Sequence, residues 1–231
     1  MLTLSLVGMS LASYIHEIKH AKIAVTHRDA LIREIHHRIK NNLQGITGLL
    51  RQLAESHPDT SDSINYTIGQ VQSIAAIHGL QERIPANNVR LHELVGAVAT
   101  GVGSLWQKAI AVEIPSDWPS YTIDEAEAVP LALVLNELLS NAIKHGVCGE
   151  GLQIKIILKH GQQPDSIHLA IHNPSQLPPG FDFERNASTG LQLVQSLMPR
   201  AGARLTWHHQ DNTVITLLEL EPPVITLKPE P

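Results

Sequence analysis

The stretch Asn136-Glu-Leu-Leu-Ser-Asn-Ala-Ile-Lys-His-Gly146 decides how this chain is read. On a helix, Glu137 and Asn141 stand four residues apart on one face, and Lys144 follows three further on. A carboxylate, an amide oxygen and a cation then point the same way. That set suits Mg²⁺ and a nucleotide polyphosphate, because Mg²⁺ takes few protein oxygens and leaves its other positions to phosphate and water. Leu133, Leu135, Leu138 and Leu139 in the same helix suit a core. Asn136, Glu137, Ser140 and Asn141 beside them therefore need partners, since a buried polar group without one is costly.

A second stretch, Glu34-Ile-His-His-Arg-Ile-Lys-Asn-Asn-Leu-Gln44, sets two histidines in a basic, amide-rich helix. On a helical wheel His37 lies opposite the Ile32, Ile35, Ile39, Ile46 stripe, while His36 sits on its flank and is expected to be partly buried. Arg33, Lys40, Asn41 and Gln44 share the outer face with His37. An acceptor for a γ-phosphoryl group must be exposed, neutral at one ring nitrogen and close to positive charge. His37 meets those needs better than His36, with Glu34 one turn earlier expected to hold its other nitrogen. A nucleotide site and a phosphate acceptor on one chain suggest a protein that phosphorylates itself.

The 231 residues are enough for one or two domains with buried cores, and 43% apolar with 17% charged residues describes a globular chain. A formal charge of −5 without a basic run, and only 3% aromatics, argue against a nucleic-acid surface or a base-stacking platform. The single cysteine, Cys148, excludes an intramolecular disulfide framework and fits a reducing cytosol; it reads as structural. The nearly uncharged residues 1–15 are shorter than the roughly 18 apolar residues of a membrane span and lack the pattern of a signal peptide. A cytoplasmic location is expected, with an upstream sensor or membrane segment in a longer parent left open.

Leu11, Ile18, Val25, Ile32, Ile39, Ile46 and Leu53 recur every seven residues, the mark of a long helix with an apolar seam. His57-Pro58-Asp59 ends it, and Thr60, Ser61 or Asp62 caps a second helix reaching about Leu80. Such an antiparallel hairpin cannot enclose a core alone, so a homodimer forming a four-helix bundle is expected. After Val89 the pattern becomes α+β. It predicts a helix over 91–106, an extended run at 110–114 and the helix of Glu137 over 124–144. Strands are expected at 152–159 and 166–173, then an irregular loop over 174–188, a helix over 190–198 and a hairpin of 204–209 with 213–220. Residues 222–231 read as a proline-rich tail.

Together the two motifs resemble a known family. Residues 34–44 look like the phosphoacceptor box of the HisKA_2 class of sensor histidine kinases, and Ile74-Ala-Ala-Ile-His-Gly-Leu80 is similar to the second dimerisation helix of that class. Residues 135–146 resemble the N-box of the Bergerat-type ATPase fold shared by gyrase, heat-shock chaperones, histidine kinases and mismatch-repair ATPases. The resemblance implies a lead-in coiled-coil helix over 1–28, a dimerisation and phosphotransfer hairpin over 29–84 and a linker over 85–89. An α/β-sandwich ATP-binding domain would then occupy 90–221. It also implies ATP and Mg²⁺, with His37 phosphorylated, Glu137 catalytic, Asn141 the Mg²⁺ ligand, and Lys144 and His145 near the phosphates. The implied partner is a response-regulator receiver domain.

The glycine boxes depart from the family pattern. Strand alternation puts Ile167, Leu169 and Ile171 on one face and carries Asn173 inward with them, in place of the usual aspartate that receives the adenine amino group. Ser175 and Leu177 replace two glycines, while in Ser188-Thr189-Gly190-Leu191-Gln192-Leu193 one glycine, Gly190, is kept. Asn173, Ser175, Thr189, Gly190 and Leu191 are the nucleotide-contact candidates, and the loop over 174–188 would be a short lid. These losses keep a second reading open: a histidine phosphotransfer or docking module with a degenerate ATPase domain. His16-Glu17-Ile18-Lys19-His20 also fits H-E-x-x-H, the zinc protease signature. Ile18 lies in the heptad seam and no downstream ligand is signposted, so spacing by chance among fourteen histidines is the better account.

Overall fold

The structure, a computed structural model, describes residues 2–83, 89–146, 153–163, 165–177 and 189–227, without the side chains of residues 2–13, 15, 21 and 189. The linker at 85–88, Cys148, residues 178–188 of the loop and the end of the tail lie outside the described residues. Helix α1 (Leu2–Ser56) runs to a short 3-10 turn at Pro58–Thr60, and α2 (Ser61–Arg83) returns beside it. The seven-residue repeat correctly marks one long helix, yet the repeat positions do not share one fate. Ile32 and Ile39 are half-buried against α2, whereas Ile46 and Leu53 are exposed. A straight α-helix drifts by ~20° per heptad against a perfect repeat. The stripe that packs on α2 accordingly passes from Ile32 through His36, Ile39, Leu43 and Thr47 to Leu50, leaving Leu31, Ile35, Ile46, Leu49 and Leu53 open.

His36 sits deeper than a flank position, 9% exposed, and its Nδ1 lies 2.9 Å from Nδ1 of His78 on α2. A carboxylate–ammonium pair, Glu82 with Lys40, joins the same two helices. Burial, and then the charge of His36, hold the His78 imidazole below its usual value of 6.5, with Gln81 acting weakly the other way. A histidine whose pKa is depressed on folding binds fewer protons folded than unfolded. Its stabilising effect is therefore present above the ordinary pKa and lost as pH falls below it. The melting temperature should drop between about pH 7.5 and about pH 5.5, and His78→Gln should flatten that slope. An unchanged slope in thermal melts of the variant would remove His78 as its source.

The second part opens with α3 (Leu91–Trp106), β1 (Ile110–Glu113) and β2 (Tyr121–Ile123). Helix α4 (Glu125–His145) follows, capped by Asp124, whose carboxylate accepts from Ala126 N at 3.0 Å. Then come β3 (Ile154–His160), β4 (Ile167–Pro174), α5 (Thr189–Leu197), β5 (Ala203–Gln210), β6 (Thr213–Leu220) and β7 (Ile225–Leu227). The main sheet has the order β1-β3-β4-β6-β5, antiparallel except where β1 joins β3. Leu94, Val98, Leu131, Leu135 and Leu139 of the helices pack on Ile156, Leu158, Leu169, Ile171 and Leu218 of the sheet. This is the expected helical hairpin followed by an α/β sandwich. Helix α4 has the length and apolar content of a membrane span, but it forms the centre of this core.

Two elements differ from the sequence reading. Part of the proline-rich tail is ordered: Ile225–Leu227 pairs antiparallel with Tyr121–Ile123 as a separate two-stranded sheet. Val224 and Ile225 are buried, so the tail closes the core beside α4 instead of leaving it. Three-residue strands joined across about a hundred residues carry no periodic signal, which is why both β2 and β7 escape a pattern reading.

Candidate functional site

Asn136, Glu137 and Ser140 of α4 are all buried. Asn136 points to α2, where its Nδ2 donates to the carbonyl of Gly69 at 3.0 Å and to Ser73 Oγ at 2.8 Å. Glu137, 2% exposed, accepts from Asn141 Nδ2 at 2.8 Å through Oε1. That bond commits the amide nitrogen and leaves Asn141 Oδ1 as the group that could meet a cation. The other carboxylate oxygen, Glu137 Oε2, is buried without a hydrogen-bond partner. A buried anionic oxygen in that condition is expensive, and a cation beside it would offset the cost.

Helix α5 and strand β4 both pack against α4. Helix α5 begins at Thr189, and Gly190 lies so close to the Glu137 carboxylate that a Cβ there would come within 1.7 Å of Oε1. The first turn of a helix carries unpaired N–H groups and favours anions such as phosphate. Leu191 is half-buried on the same turn. Strand β4 alternates buried and half-buried from Ile167 to Pro174, so Asn173 does follow Ile171 inward. Its Nδ2 donates to Ser175 Oγ at 3.1 Å, and its Oδ1 is buried and unpartnered. Ser175, standing where a glycine is usual, thereby fixes the amide with its acceptor oxygen free, the polarity an amino group requires. Gly146, just past α4, abuts that oxygen; a Cβ there would approach it to 2.9 Å.

Lys144 and His145 end α4 and are exposed. Lys144 Nζ stands 5.1 Å from the centre of the Tyr66 ring and 5.7 Å from that of Trp106. Tyr66 and Trp106 escaped the sequence reading because only the folded packing of α2 and α3 brings them here. Burial, then the negative charge of Glu137 and hydrogen bonding toward that carboxylate, push the Tyr66 phenol up to about 12, with Gln70 acting the other way. Buried acceptors at Glu137 and Asn173, the Asn141 amide oxygen and the start of α5 fit a magnesium nucleotide.

His37 lies apart from this group, exposed on α1. Its Nε2 is 3.3 Å from Asn41 Nδ2, one turn on. An amide nitrogen can only donate, so this contact keeps the lone pair on Nε2 and the proton on Nδ1. Glu34 does not take the part expected of it: its carboxylate accepts from Arg38 Nε at 2.6 Å. An i,i+4 glutamate–arginine pair is the stronger local competitor. The carboxylate that does reach His37 electrostatically is Glu82 of α2, lowered first by its hydrogen bond with Lys40 and to a lesser degree by His37. His16 and His20 pack edge to face at 4.3 Å, but no cluster of three or more metal-binding side chains occurs among the described residues.

A helical hairpin bearing an exposed histidine, joined to a nucleotide-type sandwich, is the architecture of a histidine kinase core. Residues 34–103 match the HisKA_2 family, described as histidine kinase. Over most of its length the chain is similar to sensor histidine kinases. It is 29% identical over 185 residues to the sensor histidine kinase PdtaS of Mycobacterium tuberculosis, covering 79% of this chain and 37% of that protein. The match to PdtaS of Mycolicibacterium smegmatis has the same extent. The chain thus spans well under half the length of these relatives. The histidine kinase domain of the blue-light-activated histidine kinase EL346 from Erythrobacter litoralis shares the fold, with a TM-score of 0.57 at 17% identity over 87% of this chain and 94% of that one.

Proposed function

We propose that the chain is the transmitter part of a two-component system, an ATP-dependent protein-histidine kinase that phosphorylates itself on His37. The observation that carries this is the pairing of the buried acceptors Glu137 Oε2 and Asn173 Oδ1 with an exposed histidine whose Nε2 carries the ring lone pair. Asn173 Oδ1 accepts from the adenine amino group, and the start of α5 at Thr189, Gly190 and Leu191 holds phosphate. Asn141 Oδ1 would hold Mg²⁺, which when bound would neutralise charge on the transferring phosphoryl group, with Glu137 fixing the Asn141 amide from behind. Lys144 adds a cation to the β- and γ-phosphates, with His145 beside it.

The reaction is an in-line displacement. His37 Nε2 forms the N–P bond, the bond from the γ-phosphorus to the β,γ-bridging oxygen breaks, and ADP leaves. The Nδ1 proton of the new phosphoimidazolium passes to water or to a carboxylate; Glu137 is the candidate once the domains meet. Asn41 must turn aside for Nε2 to attack, and afterwards it is placed to orient water for dephosphorylation of a regulator. The phosphoryl group then moves to an aspartate of a response-regulator receiver domain. The exposed Leu31, Ile35, Ile46, Leu49 and Leu53 on α1 support a homodimeric four-helix bundle, because a lone two-helix hairpin leaves that face uncovered. We place the chain in the cytoplasm, where ATP and receiver domains are found.

The test is incubation of purified protein with γ-labelled ATP and Mg²⁺. Label that is acid-labile and base-stable establishes a phosphohistidine. Nucleotide binding without self-labelling, together with phosphate uptake from another phosphorylated protein, would favour the phosphotransfer module instead.

A further inference from the structure

Two side-chain pairs cross from α1 to α2: His36 with His78, and Lys40 with Glu82. Each joins residues 42 apart in sequence. In an antiparallel hairpin, pairs of equal separation are centred at the same height, whatever the register. Half of that separation back from a turn centred on Asp59 is the height of Arg38, one residue from His37. Helical side chains lean toward the start of their own helix. On antiparallel helices Lys40 and Glu82 therefore lean toward each other, and their charged heads meet at the level of His37.

The pair also lies on the His37 side of α1. At ~100° per residue, Lys40, Gln44 and Arg51 all fall within about 60° of His37. These three, with Glu82 and Arg83 of α2, line a cavity of about 780 Å³ that opens between α1, α2 and α3. Lys40 runs along α2 against Gly79, where an added Cβ would stand 3.4 Å from its Cδ. Lys40 and Glu82 are 25% and 27% exposed, so both heads have room to move on the cavity side. Three cations stand against one carboxylate in this lining, which favours an entering phosphoryl group.

Glu34 is taken by Arg38, and Asn41 leaves the His37 proton on Nδ1. Glu82 is the carboxylate in electrostatic reach of the ring. We propose that Lys40 is a catalytic residue and Glu82 its positioning partner, and that the pair exchanges partners during phosphorylation. The Lys40 ammonium turns to the oxygens of the arriving phosphoryl group, and the Glu82 carboxylate is left facing the His37 ring. The inference rests on the reading of His37 as the acceptor in a kinase. As the N–P bond forms, the bond to the bridging oxygen breaks, its electron pair leaves with ADP, and positive charge builds on the imidazole. Glu82 stabilises that charge while Lys40 stabilises the phosphoryl oxygens, and neither gives up or takes a proton. Before phosphate arrives the two charges cancel each other, so no unpaired ion stands half-buried between the helices.

Lys40→Met keeps the stem on Gly79 and removes the ammonium; Glu82→Gln keeps an acceptor for Lys40 and removes the charge. Lys40→Arg restores a cation, and Glu34→Gln is the control. The full chain, checked for folding by circular dichroism, is labelled on His37 from γ-labelled ATP and, separately, from labelled phosphoramidate, a small donor that needs no nucleotide. With both donors, Lys40→Met and Glu82→Gln should label about 10-fold more slowly than wild type, with Lys40→Arg recovering most of the rate and Glu34→Gln losing none. Fluorescent-ATP affinity should stay within about 2-fold of wild type, which separates a loss in the transfer step from a loss of binding. Should Lys40→Met not fold, Glu82→Gln decides. Wild type labelled by phosphoramidate but not by ATP, with the variants slowed, supports the pair and removes the kinase reading. Wild-type rates in the folded variants, or slowing with ATP alone, overturn the pair and leave the kinase. No label on His37 from either donor overturns both.

Discussion

His37→Gln is expected to reduce labelling from γ-labelled ATP to background, a loss of at least ~10²-fold, because it removes the only nucleophile the mechanism uses. Folding should be untouched, since His37 is exposed and its side chain is hydrogen-bonded to Asn41, one turn on, at 3.3 Å. The neighbouring substitution separates the two histidines. His36→Ala should keep the label per folded molecule and lower stability by about 1–3 kcal/mol, as it strips a buried partner from His78. Label mass spectrometry and thermal melts on the same two proteins check both statements. The reverse pattern, with labelling lost only in His36→Ala, would move the acceptor role one residue back.

What the sequence made visible depended on range. Helix periods and strand alternation are local, so α1, α4 and the inward side of Asn173 could all be read directly; β4 alternates as the pattern required. The exposure of His37 followed from the same wheel. Even some misreadings were local: Glu34 faced both His37 at three residues and Arg38 at four, and the opposite charge won. The split of the seven-residue seam could be inferred only from helix drift, which the repeat alone conceals. The Asn136 bonds to Gly69 and Ser73, the Tyr66 and Trp106 rings over Lys144 and the β2–β7 pair were not legible. Each joins segments tens of residues apart or more through two or three contacts, too few to leave a period. The motif did announce that Asn136 needed a partner; it could not say that the partner was a helix of the other domain.

The second large effect falls on Gly190, the glycine kept where its neighbours were lost. In Gly190→Ala the new Cβ would stand 1.7 Å from Glu137 Oε1 and 2.4 Å from its Cδ. The carboxylate has little room to retreat, being 2% exposed and bonded to Asn141. Either α5 moves away from α4 or Glu137 leaves Asn141, and both routes undo the grouping that would hold Mg²⁺ and phosphate. ATP affinity should fall at least ~10-fold and autophosphorylation ~10²-fold, read by fluorescent-nucleotide titration and label uptake. Gly96→Ala in α3, where an added Cβ meets nothing within 4 Å, serves as the control and should be neutral or slightly stabilising. Wild-type nucleotide binding in folded Gly190→Ala would mean that ATP does not enter between α4 and α5. The loss of the other glycines would then say nothing about nucleotide affinity, because ATP would be held elsewhere on the domain.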